Sequence, residues 1–133
     1  SRHIRGEYTL TVDDVLNGNV PEDSILLAAN SVDVHGRFGP LSNEYVTVRN
    51  GEYYGIPYRC LIPVGVDGLL TAGRCISAAS EAAGAIRVMP PCMGTGHAAG
   101  TAAALSVLSG CDVRSLSTDL LRTKLTEQGA YLG

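Results

Sequence analysis

MPPCMGTGHAAGTAAAL, residues 89 to 105, opens on two prolines and runs on as an alanine-rich segment carrying Gly94, Gly96 and Gly100 where a helix prefers alanine. Proline lacks the amide hydrogen that a first helical turn leaves unpaired in any case, so the pattern predicts a helix beginning near Pro90-Pro91. Each interior glycine costs such a helix roughly 0.5–1 kcal/mol relative to alanine. Close packing, a ligand approaching the backbone, or chance can each account for that cost. Gly96, Gly100 and Ala104 are four apart on one face, which fits tight packing against a neighbour. Glycine near the start fits a ligand, because the first amides of a helix carry partial positive charge and can meet a phosphate, a carboxylate or an electron-rich heterocyclic edge. The two explanations are compatible.

Residues 94 to 99, GTGHAA, also satisfy the dinucleotide pattern G-x-G-x-x-G/A. That pattern works when it follows a strand directly and precedes a second strand whose acidic residue, about 20 positions on, holds a ribose. Two prolines precede it here, and Gly110, Cys111, Asp112 and a further helical segment follow. The context therefore argues against a Rossmann turn.

With 133 residues, 45% apolar and 17% charged, the chain has the make-up of one globular domain with a real core. A net charge of −3 and the absence of a Lys/Arg run argue against a nucleic-acid or membrane-surface partner. The small-residue run 98–108 is too short to span a bilayer, and no signal peptide opens the chain. Cysteines at 60, 75, 92 and 111 show no CxxC or Cys/His ligand spacing. They are expected to be reduced packing residues in a reducing compartment, the cytoplasm, with no metal. The serine at position 1 suggests a processed chain or a fragment of something larger.

An α+β organisation is expected, β-rich over residues 1–58 and helical toward the end. GEYTL is β-prone, and Thr11 caps a short helix over VDDVLNG, with Asp13 and Asp14 in its first turn and Gly18 at its exit. ILLAA (25 to 29) reads as a buried strand leading to SVDVHG. Asn50-Gly51 between alternating β-formers predicts a hairpin, since a type I′ turn needs two residues that tolerate positive φ. LLTA (69 to 72) reads as a buried strand ending at Gly73-Arg74, and residues 78 to 90 read as small and irregular. A last helix is capped by Ser117, buries Leu120, Leu121 and Leu125, and stops at Gly129.

The run YGIPYRCLIPVGVDGLLTAGRCISAASEAAGAIRVMPPCMGTGHAAGTAAAL resembles the C-terminal signature of FAD-dependent oxidoreductases related to the fumarate reductase and succinate dehydrogenase flavoproteins. RGEYTLTVDDVLNG, SVDVHG and LTEQGAYL are similar to other parts of that family's last third, in the right order. The resemblance implies a fragment of an α/β FAD-binding fold in which the cofactor domain is discontinuous. Residues 1–58 would belong to the substrate-facing region, and residues 59–133 would return to complete a flavin pocket whose glycine-rich pyrophosphate loop lies upstream. Without that loop the chain alone is expected to bind FAD weakly or not at all and to be inactive. Where relatives commonly carry leucine and glutamine near the helix start, this sequence has Thr95 and His97, which leaves the identity of the flavin contacts more open than their location.

On this resemblance Gly73 and Arg74, followed by Cys75, lie near the ribityl-pyrophosphate portion of FAD. The amides around Met93, Gly94 and Thr95, with Gly96 beyond, face the pyrimidine edge of the isoalloxazine. Arg87 would grip a substrate carboxylate, or equally serve a structural ion pair. His35 is a candidate proton carrier because its pKa lies near neutrality, with a structural role as the alternative. Tyr58 and Arg59 would line the substrate pocket unless they serve packing. Cys75 and Cys92 flank the pocket and also suit packing.

The expected function is thus electron transfer between bound flavin and a small-molecule substrate. The partners are that substrate and the upstream FAD-binding region of the same protein, with a homo-oligomer also open. A non-catalytic binding or assembly module is the alternative, and a nucleotide-binding module using the same helix start is a third.

Overall fold

Thr11 builds the first helix from its own side chain. It accepts from the Asp14 N–H, and the Asp14 carboxylate answers to the Thr11 N–H and hydroxyl, a closed capping box that starts α1, Val12–Asn17. Burial raises the Asp14 carboxyl, but hydrogen bonds from Thr11, Asn19 and Tyr8 outweigh it and leave the group below the usual carboxylate range. The helix ends at Gly18 in the left-handed conformation.

The computed structural model describes residues 4–33, 45–46, 48 and 52–133. Four strands follow α1: β1, Ser24–Ala28; β2, Val32–Asp33; β3, Tyr45–Val46; and β4, Tyr54–Pro57. β1 pairs antiparallel with β4, Leu26 opposite Ile56 and Ala28 opposite Tyr54, and β2 pairs antiparallel with β3. Three helices complete the chain: α2, Ser80–Ile86; α3, Met89–Ser109; and α4, Thr118–Glu127. Short 3-10 turns occupy Tyr58–Cys60 and Gly73–Cys75. The result is a mixed α/β fold.

Its core gathers Leu10, Val15, Ile25, Tyr54, Ile56, Leu61, Ile76, Leu121 and Leu125, so residues on both sides of position 58 share one apolar cluster. α3 and α4 both lie on β1 and against each other. Burial of side chains of this size is worth about 1.5–3 kcal/mol each before entropy is charged.

Several expectations hold. α1, β1 and α4 stand where the sequence puts them, Ser117 accepts from the Leu120 N–H, and α3 starts one residue before Pro90. Others need correction. GEYTL makes isolated bridges, Gly6 to Pro63 and Leu10 to Ala78, because it threads between segments 59–64 and 75–79 and bonds to both. LLTA is not a strand: Leu69 is exposed, and Thr71 alone reaches across to the Leu61 carbonyl. Residues 78 to 90 are not irregular, since Ser80–Ile86 is helical and buries Ala82, Gly84, Ala85 and Ile86; small residues let it seat deeply. Leu120 is exposed while Leu121 and Leu125, four apart, take the buried side. The Asn50-Gly51 turn lies outside the described residues, and the strand after it pairs with β1.

Candidate functional site

α2 and α3 are separated by only Arg87 and Val88, so the C-terminal end of one helix abuts the first turn of the other. The Gly73–Cys75 turn closes this junction from the side. Gly73 has φ +65°, the left-handed region, and its N–H donates to Thr95 Oγ1 at 2.9 Å. Thr95 in turn donates to the Pro91 carbonyl at 2.8 Å. Buried to 1% exposure, this hydroxyl clamps the turn onto α3.

The last carbonyls of α2 are met by the same group of residues. Arg74 Nε donates to the Arg87 carbonyl at 3.1 Å, and the Cys92 thiol points to the Ile86 carbonyl at 3.6 Å. A cation at a helix C-terminus is favourable in its own right, which gives Arg74 a structural role beside any binding role. The corner exposes Arg74, Cys75, Arg87, Val88 and Pro90, with Met89 78% and Met93 72% exposed. Two cationic residues, Arg74 and Arg87, thus share this corner with the exposed Met89 and Met93, residue types suited to a ligand with an anionic part and a flat apolar part.

The helix start itself differs from expectation. The four amides that a first turn leaves unpaired belong here to Val88, Met89, Pro90 and Pro91, and the prolines have none, so two remain. Cys92 N–H already bonds to the Val88 carbonyl. Met93, Gly94 and Thr95 therefore sit in the second turn, where the helix takes up their amides.

The glycines also exchange roles. A Cβ on Gly94 would come within 2.6 Å of Leu26 Cδ1 on β1, so this glycine serves close packing. Gly96 and Gly100 have nothing within 4 Å, and Ala104 is exposed. The face expected to pack is open, and the buried side of α3 is Pro91, Thr95, Ala98, Thr101, Ala102 and Ser106.

Tyr58 and Arg59 lie elsewhere. Tyr58 is buried, donates to the Val113 carbonyl at 2.9 Å, and burial raises its phenol further above the usual tyrosine range. Arg59 pairs with Asp23 through Nε at 2.9 Å and covers the Tyr8 ring at 5.1 Å; its hydrogen bond to Asp23 raises its pKa. His35 lies outside the described residues. Burial pushes the Cys60 thiol up to about 12, so it stays protonated and inert at neutral pH.

A cleft of about 370 Å³ lies at the far end of α3, bordered by Ser106, Val107, Cys111 and Asp112, and another of about 480 Å³ runs beside α4. Among the described residues no three His, Cys, Asp or Glu side chains form a metal-binding group, and no helix is long and apolar enough to cross a membrane.

Gly73, Arg74 and Arg87, singled out from the sequence, come together at this corner, and beside them stands the exposed Met89, which the sequence reading did not name. Its four-residue spacing from Met93 was the available signal. No curated protein and no solved structure matches the chain. The family model for FAD dependent oxidoreductase matches residues 1–125, nearly the whole length, and the chain therefore belongs to that family.

Proposed function

We propose that the corner formed by the Gly73–Cys75 turn, the end of α2 and the start of α3 is the part of this chain that faces FAD in an oxidoreductase. The observation that carries this is the junction of Arg74 and Arg87 with the exposed Met89 and Met93, held by the Gly73–Thr95 hydrogen bond. These residues fit the cofactor's chemistry: the guanidinium groups suit phosphate or carboxylate oxygens, and the thioethers suit the side of a flat ring. Bound FAD would supply the two-electron sink and source.

On this reading Gly73, Arg74 and Cys75 border the cofactor. Met93 contacts it through its side chain, whereas Gly94 and Thr95 hold α3 against β1 and the turn, and Gly96 leaves the neighbouring surface bare. Arg87 grips a substrate carboxylate, His35 remains the candidate proton carrier, and Tyr58 and Arg59 shape the substrate-facing side. Residues 1–58 form that side and residues 59–133 complete the cofactor domain, with an upstream region of the same protein supplying the rest. α3 supports such a partner region: its outer side carries no acid and one basic residue, and Val107 is 81% exposed.

Intact protein purified and supplied with FAD is expected to show flavin absorbance, and Arg74→Ala to weaken FAD binding without lowering thermal stability to the same degree. Absence of flavin absorbance after FAD addition, or selective binding of ATP over FAD, would overturn the proposal. A non-catalytic module is the second reading, favoured by the apolar cluster that runs unbroken from Leu10 to Leu132. Cooperative melting of the 133-residue chain, unaltered by FAD, would support it.

A further inference from the structure

Met89, Met93 and His97 follow one another at four-residue spacing, and all three are exposed. They form a strip on α3 that leads from the corner toward α4. Thr101, four residues further, turns inward and is buried. His97 is the only basic side chain among the 21 residues of α3.

Gln128 meets this strip from α4. It is the C-cap residue, its N–H held by the carbonyls of Lys124 and Leu125 at 3.1 Å, so its side chain starts from a fixed base. Its amide oxygen, Oε1, lies 2.7 Å from His97 Nε2 and accepts from the Thr101 hydroxyl at 3.1 Å. An amide oxygen has no hydrogen to give, so the hydrogen between Gln128 and His97 sits on Nε2. In a neutral imidazole that leaves Nδ1 as the acceptor.

We propose that Gln128 is a positioning residue that holds His97 in its Nε2–H form, so that Nδ1 accepts a hydrogen bond from an N–H donor on the rim of a flat heterocycle resting on Met89 and Met93. This rests on the FAD reading above, in which the donor is the imide N–H of the flavin. The second turn of α3 has spent its amides internally, and its carbonyls are helix acceptors. His97 is therefore the side chain of this strip that can take a ring N–H.

The test begins without cofactor. Long-range 1H–15N correlation spectra of the full chain at about pH 8, above the ordinary imidazole range, are expected to show His97 protonated on Nε2. Gln128→Leu should shift His97 toward a mixture of both forms, and Gln128→Glu, which keeps an acceptor, should restore it. His97 protonated on Nδ1, or a spectrum unchanged by Gln128→Leu, overturns the proposal.

FAD is then added to the intact protein. Its addition is expected to move the His97 Nδ1 resonance, and His97→Phe or Gln128→Leu to weaken FAD binding about five- to tenfold, the worth of one hydrogen bond. Gln128→Glu should keep wild-type affinity. If FAD binds all variants equally and Nδ1 does not move, the His97 contact is overturned while the flavin reading stands. If FAD does not bind at all, both fall.

Discussion

α3 and α4 lie on the same strand and against each other, yet they are built on opposite plans. α4 is ten residues long, capped by Ser117, with Leu121 and Leu125 buried and a Lys124–Glu127 ion pair on its outer side. α3 is twenty-one residues long, begins at Met89 after an N-cap residue, Val88, that offers no side-chain cap, and carries small uncharged residues on both its buried and its exposed sides. α4 can be read from its own residues, because its polar and apolar sides differ. α3 takes its place from what it touches: Leu26 against Gly94, the Gly73 turn against Thr95, Gln128 against His97 and Thr101.

The sharpest way to break this contrast is to empty the buried side of α4. Leu125→Ala is expected to cost about 2–5 kcal/mol, because it opens a cavity beneath β1 and α3; urea unfolding at constant m-value would measure it. A loss under about 1 kcal/mol would mean that α4 adds little to the core.

In α3 the decisive change is at Gly94. Gly94→Val should cost about 1–3 kcal/mol by driving its branched side chain into Leu26, in the same urea experiment. Pairing it with Leu26→Ala should recover part of the loss. If Gly94→Val is neutral alone, the close approach to β1 does not limit the helix.

The caps separate the two helices at smaller cost. Ser117→Ala should lose about 1 kcal/mol. Val88→Ser should gain nothing, because the amides a serine would cap belong to Pro90 and Pro91 and have no hydrogen. Smallest of all, Gly100→Ala should stabilise by roughly 0.5–1 kcal/mol, since its Cβ meets open space and alanine favours helix. Thermal melting of the pair Gly94→Val and Gly100→Ala should therefore give shifts of opposite sign.

What could be read from the chain beforehand follows the same division. Thr11, Ser117 and the Pro90-Pro91 pair marked helix starts because capping and missing amide hydrogens are local properties. The ordered motifs from 54 to 105 pointed to the flavoprotein family that residues 1–125 match. LLTA read as a strand because its composition is apolar, but an apolar run becomes a strand only when a neighbour offers a ladder, and only Leu61 does. Of the candidate residues, Gly73 and Arg74 were named together and Arg87 apart from them, and only the fold brings the three to one corner; packing was an open reading for Tyr58, but its Val113 partner and the pairing of Arg59 with Asp23 were not legible, because those partners are 55 and 36 residues away.

The glycines that open residues 89 to 105 show where that boundary falls. Composition and periodicity alone determined that this stretch is a helix, that it begins at the prolines, and that its glycines carry a cost. Which glycine serves which purpose was decided by tertiary structure: Gly94 meets Leu26, Gly96 and Gly100 meet nothing within 4 Å, and His97 meets Gln128. Helix formation depends on hydrogen bonds within a few residues, whereas the space around a Cα depends on segments that arrive from elsewhere in the chain.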